Sequence, residues 1–232
     1  MKIVLGLFAA LVIATPAQAQ LKPEIQTGSM IPVKPQPLDE KRAGDVRKHF
    51  AQCVYRSATP KVLTMLDHSD PAWIDLKAAG IKDVNTELGM SRCLGMQVGV
   101  DQLALSLKFS PVVLRDLMAE EVYLARNPAA PSLAADAAAI VPFVIPSDTQ
   151  PATAAALTEF TDCAVRVDPA GADALLRTMP GSDREHDAAA ALAPALGQCL
   201  RTGQKVNLKP GGIRALIAYA MWSRFVRTPA VK

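Results

Sequence analysis

The strongest constraint on the fold is that the chain is written twice. Phe50, Cys53 and Arg56 recur in register as Phe160, Cys163 and Arg166. Further along, Ser69-Asp70 recurs as Ser182-Asp183, Cys93-Leu94 as Cys199-Leu200, and Pro111 with Leu114-Arg115 as Pro210 with Ile213-Arg214. The order never breaks, and the small changes of spacing fall where loops absorb insertions. The copies span residues 38–127 and 152–228. A chain built this way folds as two related units, each of which must bury its own apolar face.

The cysteines follow from the duplication. All four, Cys53, Cys93, Cys163 and Cys199, lie within the copies, and four cysteines allow three pairings. If each copy folds as one unit, Cys53 pairs with Cys93 and Cys163 with Cys199; pairing between copies is the rival. Each bridge then closes a loop of about 40 residues, worth on the order of 4 kcal/mol in the chain-entropy account. Zinc fits the same residues poorly, because no Cys-x-x-Cys and no Cys/His pair at ligand spacing occurs.

Each copy reads as about four helices with one short extended segment, so the expected fold is mostly α, two tandem units each stapled by a disulfide. Val46, Phe50, Cys53 and Val54 share one face of a helix over residues 39–57, and Leu157, Phe160 and Ala164 do the same over residues 152–167. Pro60 and Pro169 open short second helices, since proline lacks only an N–H that the first turn leaves unused. Ser182 with Glu185 forms a capping box for a third helix, and Ser69-Asp70-Pro71 is its counterpart. Period-two segments at residues 103–109 and 205–208 predict short strands. The last helices carry Leu114, Leu117, Met118 and Val122, then Ile213, Leu216, Ile217 and Met221.

Outside the copies, Met1-Lys2, the apolar run from Ile3 to Ala14 and Ala17-Gln18-Ala19 have the order of a cleavable signal peptide over residues 1–19. No other run is long enough to span a membrane. The expected compartment is the periplasm, which permits disulfides. Residues 20–37 form an extended Pro-rich arm, residues 128–151 an Ala/Pro linker, and residues 229–232 a tail. Within the linker, Ile140-Val-Pro-Phe-Val-Ile145 is too apolar to be left in water; it packs against a unit or forms an exposed contact site. The formal charge is only +3, from 25 Lys+Arg and 22 Asp+Glu, and no basic cluster argues for nucleic acid.

The chemistry-bearing residues are few. Ser182, Asp183 and His186 resemble a nucleophile, an orienter and a base, but an N-cap serine points at its own helix and no G-x-S-x-G elbow surrounds it. Glu120-Glu121 are neighbours on a helix and point about 100° apart, which reads as a solvated edge. His49, His68 and His186 sit at unrelated places, so no metal and no cofactor is expected. The repeated polar residues are Arg56 with Arg166 and Arg115 with Arg214, each suited to structural pairing or to holding the carboxylate or phosphate of a ligand or partner.

Cys-x-x-Arg, a capped helix, Cys-Leu and a Leu-Arg helix, written twice behind a signal-like segment, resemble uncharacterised exported (periplasmic) proteins of Gram-negative bacteria. The resemblance covers both copies and implies export and a duplicated helical unit, with no particular activity. What both copies keep is cysteines, caps, apolar faces and arginines. That favours a periplasmic binding or protein-interaction module, non-catalytic, engaging an envelope protein or a small ligand. The alternative is a secreted hydrolase-type enzyme with a dispersed site at His186, Glu120 and Glu121.

Overall fold

A computed structural model describes residues 38–96, 110–134, 136–201 and 208–227. The expected signal peptide, the Pro-rich arm, the tail and nearly all of the two expected strands lie outside the described residues; Leu208, at the edge of the second, is non-helical. Among the described residues the chain is helical, with eight helices.

Helix α1 (Glu40–Asp67) is capped by the Asp39 carboxylate, which accepts from Arg42 N. It buries Val46, Phe50 and Val54 on one face. Where a break before Pro60 is predicted, the helix continues through a kink at Ala58 (φ −137°, ψ 33°). Proline at position 60 removes an N–H and crowds the carbonyl one turn back. The Thr59 hydroxyl donates to Tyr55 O at 2.7 Å, a back-bond of the kind that accompanies helix bends.

After α1 the expected Ser69-Asp70 helix start is not a helix. Asp70 Oδ1 instead accepts from Ala72 N and Trp73 N, at 2.9 and 2.8 Å, and Ser69 and Ile74 form an isolated bridge. Two short helices, α2 (Val84–Glu87) and α3 (Met90–Gly95), carry the chain to Cys93. Helix α4 (Pro111–Arg126) starts with proline in its first turn and Ser110 as N-cap.

In the second copy the same stretch is broken. Helix α5 (Pro151–Val167) ends before Asp168, whose carboxylate caps α6 (Pro169–Arg177) through Gly171 N. Ser182 caps α7 (Asp183–Gln198) as expected, accepting from Glu185 N, while the Glu185 carboxylate accepts from Gly181 N at 2.6 Å. Helix α8 (Pro210–Phe225) again opens on proline.

The bridges are Cys53–Cys93 and Cys163–Cys199, with Cα separations of 5.5 and 5.8 Å. The first bridge lies before the linker and the second after it. Helices α4 and α8 make the most extensive helix pair, with α1 against α4 and α5, α6 and α7 around α8. One apolar cluster runs through all of them, including Phe50, Leu66, Met118, Leu175, Ile217 and Trp222. At the start of α1 the two backbones nearly touch: a Cβ on Gly44 would lie 1.8 Å from Pro180 O. Gly181, at φ +75°, faces Glu40 O on the other side of that contact.

The linker is strapped down. Asp162 Oδ2 accepts from Ile140 N at 3.3 Å, Arg224 donates to Ala138 O, and Asp70 Oδ2 accepts from Ile145 N at 3.0 Å. Ile145 is buried and Phe143 lies under the Arg227 guanidinium, 3.7 Å from its ring centre. Val141 nonetheless stands 87% exposed. Among the described residues no helix is long and apolar enough to cross a membrane.

Candidate functional site

The prolines that open α4 and α8 set Arg115 and Arg214 at the same depth in their helices, one turn in and turned toward the interior. Both are buried. Arg214 reaches across to α4. Its Nε and Nη2 donate to Glu120 Oε2 and Oε1 at 2.7 and 2.8 Å, the bidentate geometry a guanidinium favours. Its remaining N–H groups meet Leu175 O, Leu176 O, Thr178 O, Thr178 Oγ1 and Glu185 Oε1 at 2.8–3.4 Å. They close the C-terminal end of α6, where unpaired carbonyls need donors.

Arg115 reaches across the other way. Its guanidinium carbon lies 4.5 Å over the Tyr219 ring on α8, and it also pairs with Asp116 and donates to Asp70 O. Glu120 stands five residues after Arg115, and Tyr219 five after Arg214. Each arginine therefore contacts the residue five places after the other, through an ion pair on one side and a cation–π contact on the other.

Glu120 and Glu121 are not a solvated edge; both are buried. Their side chains diverge as helix neighbours must, and Lys48 from α1 spans the gap, with Nζ 2.6 Å from Glu120 Oε1 and 2.7 Å from Glu121 Oε1. The Glu121 contact is an ion pair with Lys48 rather than a well-directed hydrogen bond. Burial opposes ionisation of Glu120, yet Arg214 and Lys48 hold its carboxyl below the usual value. For Glu121 burial prevails over Lys48, and the charge of Glu120 adds to it, so its carboxyl is raised. Lys48 and Arg214 face three carboxylates, Glu120, Glu121 and Glu185. Of the Glu120–Glu121 pair, Glu121 takes up a proton first. Nearby, burial pushes Asp116 to about 6 against the pull of Arg115.

The other predicted arginines are placed differently. Arg166 pairs with Asp162 at 3.1 Å near the end of α5 and is partly exposed. Arg56, just before the α1 kink, is exposed and has no ion-pair partner among the described residues. The four arginines do not converge on one site. Arg214, with an acceptor for every N–H, has no donor left for a ligand.

His186 Nε2 lies 3.5 Å from Glu40 Oε1 at a half-exposed surface, and Ser182 Oγ is used on Glu185 N and Met179 O. Neither is placed against Glu120. Among the described residues no three His, Cys, Asp or Glu side chains are grouped to hold a metal ion.

Residues that carry no sequence signal complete the arrangement. Lys48, Asp162, Arg224 and Arg227 tie helices or the linker together. Asp162 accepts from Arg166 and Arg224, and Arg227 donates to Tyr219 Oη and Asp67 O. Only their partners in space identify them. No family model matches this chain, and no curated protein or solved structure matches it either.

Proposed function

We propose that this chain is an exported, periplasmic protein-interaction module, made by duplication of one helical unit and without catalysis of its own. The observation that carries the reading is the strap. Carboxylates from both copies, Asp70 and Asp162, fix its backbone on the body, while Val141 is left 87% exposed and Phe143 37% exposed at its crest. A segment held this firmly with apolar side chains turned outward is a preorganised contact surface. The partner is a folded envelope protein with an apolar recess for Val141. Duplication is supported by the reciprocal arginines: each reaches the residue five places after the other, as across the two-fold axis of an isologous contact. Export is supported by the order of residues 1–19 and by two disulfides.

The test places a photo-cross-linking amino acid at position 141, and separately at the exposed Asp187 on α7, in cells of the native host. One discrete cross-linked envelope protein is expected from position 141 alone, and Phe143→Asp should abolish it. Equal labelling from both positions, or none, overturns the strap as the contact surface. Export is checked separately by N-terminal sequencing of the periplasmic protein, which should begin at Gln20. If His186→Ala removes a hydrolytic activity and leaves thermal stability unchanged, the enzyme reading replaces this one.

A further inference from the structure

The two disulfides stand in different surroundings. Beside Cys53–Cys93, the Ser57 hydroxyl lies 3.9 Å from the Cys53 sulfur and 3.8 Å from the Cys93 sulfur. Its oxygen accepts from Arg92 Nη2 at 2.8 Å. The helices dictate this: Cys53 and Ser57 are one turn apart on α1, and Arg92 and Cys93 are adjacent on α3. A serine hydroxyl has a single hydrogen to give. With the guanidinium occupying an acceptor position, that hydrogen is directed at sulfur. Around Cys163–Cys199 no hydrogen bond to either sulfur is found among the described residues.

Accessibility is also uneven within the first bridge. The Cys93 side chain is fully buried, whereas Cys53 is half-buried. An incoming thiolate reaches Cys53, and Cys93 is the leaving group. A thiolate formed at Cys93 is met at once by the Ser57 O–H, itself polarised by the Arg92 cation. Stabilising the leaving thiolate lowers the pKa of its thiol, and exchange quickens as that pKa falls.

We infer that Cys53–Cys93 is a thiol-exchange site that accepts a dithiol reductant, and that Cys163–Cys199 is a structural bridge. In the first step a thiolate of the dithiol bonds to Cys53 Sγ, the Cys53–Cys93 bond breaks, and its electron pair goes to Cys93 Sγ. The second thiol of the dithiol, deprotonated, then attacks the mixed disulfide and releases the Cys53 thiolate. The dithiol departs oxidised by two electrons, and its two protons end on Cys53 and Cys93. This assignment does not depend on the interaction-module reading.

The test is timed reduction of the native, oxidised protein with dithiothreitol, quenched by alkylation and read by peptide mapping. Cys53 and Cys93 are expected to become alkylated before Cys163 and Cys199. In Ser57→Ala, opening of the first bridge should slow several-fold, because a leaving thiol of higher pKa departs more slowly. Arg92→Gln should slow it in the same direction. The rate at Cys163–Cys199 stays unchanged in both variants and serves as the internal control. Both sulfurs of Cys163–Cys199 belong to half-buried residues, so exposure alone predicts that this bridge opens first or together with the other. Either of those orders in the unmutated protein overturns the inference without any variant. An unchanged rate at Cys53–Cys93 in Ser57→Ala overturns it as well.

Discussion

Replacing Arg214 by methionine tests the central tie between the copies. Methionine keeps much of the length and packing of the side chain, so the loss is the guanidinium itself. Glu120 then keeps only Lys48, Glu185 loses its cation, and Leu175 O, Leu176 O and Thr178 O lose donors. Breaking a buried pair by removing one partner costs about 3–5 kcal/mol, mostly from the charge left behind. Each orphaned carbonyl adds up to about 1–3 kcal/mol where water does not reach it. A loss of about 5 kcal/mol is expected, a large part of the stability of a typical domain. Urea denaturation at pH 7.5 with both bridges oxidised measures it. With a slope of about 2 kcal/mol/M the midpoint should fall by roughly 2 M. Arg201→Met removes an exposed ion pair with Glu159 and should shift stability by no more than about 1 kcal/mol. Adding Glu120→Leu to Arg214→Met removes the stranded carboxylate and should recover part of the loss. If Arg214→Met behaves like Arg201→Met, or if the double variant is simply additive, the network does not hold the copies together as described.

Three further outcomes follow from the packing and the titrating groups. Gly44→Ala drives a Cβ to 1.8 Å from Pro180 O; a loss of about 1–3 kcal/mol is expected from the forced backbone shift, and calorimetry should show a lowered Tm. Stability should peak between about pH 4 and 4.5. Asp116, raised from 3.8 to about 6, contributes fully below its unfolded value and loses that contribution as pH rises through 6, a fall of about 3 kcal/mol. Glu121 acts in the same direction. Glu120, lowered, contributes above the ordinary 4.5 and loses that contribution as pH falls through its folded value. A Tm profile from pH 3 to 8 reads both limbs, and Asp116→Asn should flatten the alkaline one. Tyr123→Phe deletes the hydroxyl that donates to Asp173 Oδ1 at 2.7 Å. It should cost about 1 kcal/mol in urea melts, since Arg177 still satisfies that carboxylate.

Local rules carried the reading wherever the chain obeys its neighbours in sequence. Proline at the first turn marks α4, α6 and α8, the Ser182 cap marks α7, and the expected pairing of the cysteines is the one found, whereas Pro151, assigned from sequence to the linker, opens α5. It failed where a side chain is claimed from far away. Ser69-Asp70 looks like Ser182-Asp183, but Asp70 turns to Ile145 N, 75 residues on, and the helix does not form there. Pro60 signals a break, and the structure has a kink at Ala58 with the helix continuing beyond it. The glutamate pair looks solvated because neither Lys48 nor Arg214 is within a turn of it; they lie 72 and 94 residues away. The repeated arginines were legible as positions. Their purpose emerges only once α4 and α8 are neighbours.

The placement of the bridges also divides the labour of folding. Each closes a loop inside one copy, with separations of 40 and 36 residues. Among the described residues the side-chain ties between the two halves are non-covalent and far apart in sequence: Arg214 to Glu120 spans 94 residues, Tyr219 to Ser69 150, and Arg227 to Asp67 160. An oxidised but unfolded chain is therefore two preclosed loops on a free tether. Local helices can form early in each loop, and because Cys163–Cys199 lies between Glu120 and Arg214, that bridge also shortens the chain the α4–α8 seam must close, whereas Cys53–Cys93 lies outside that span. Oxidation of the second bridge therefore favours the union of α4 with α8, and oxidation of the first favours only its own loop.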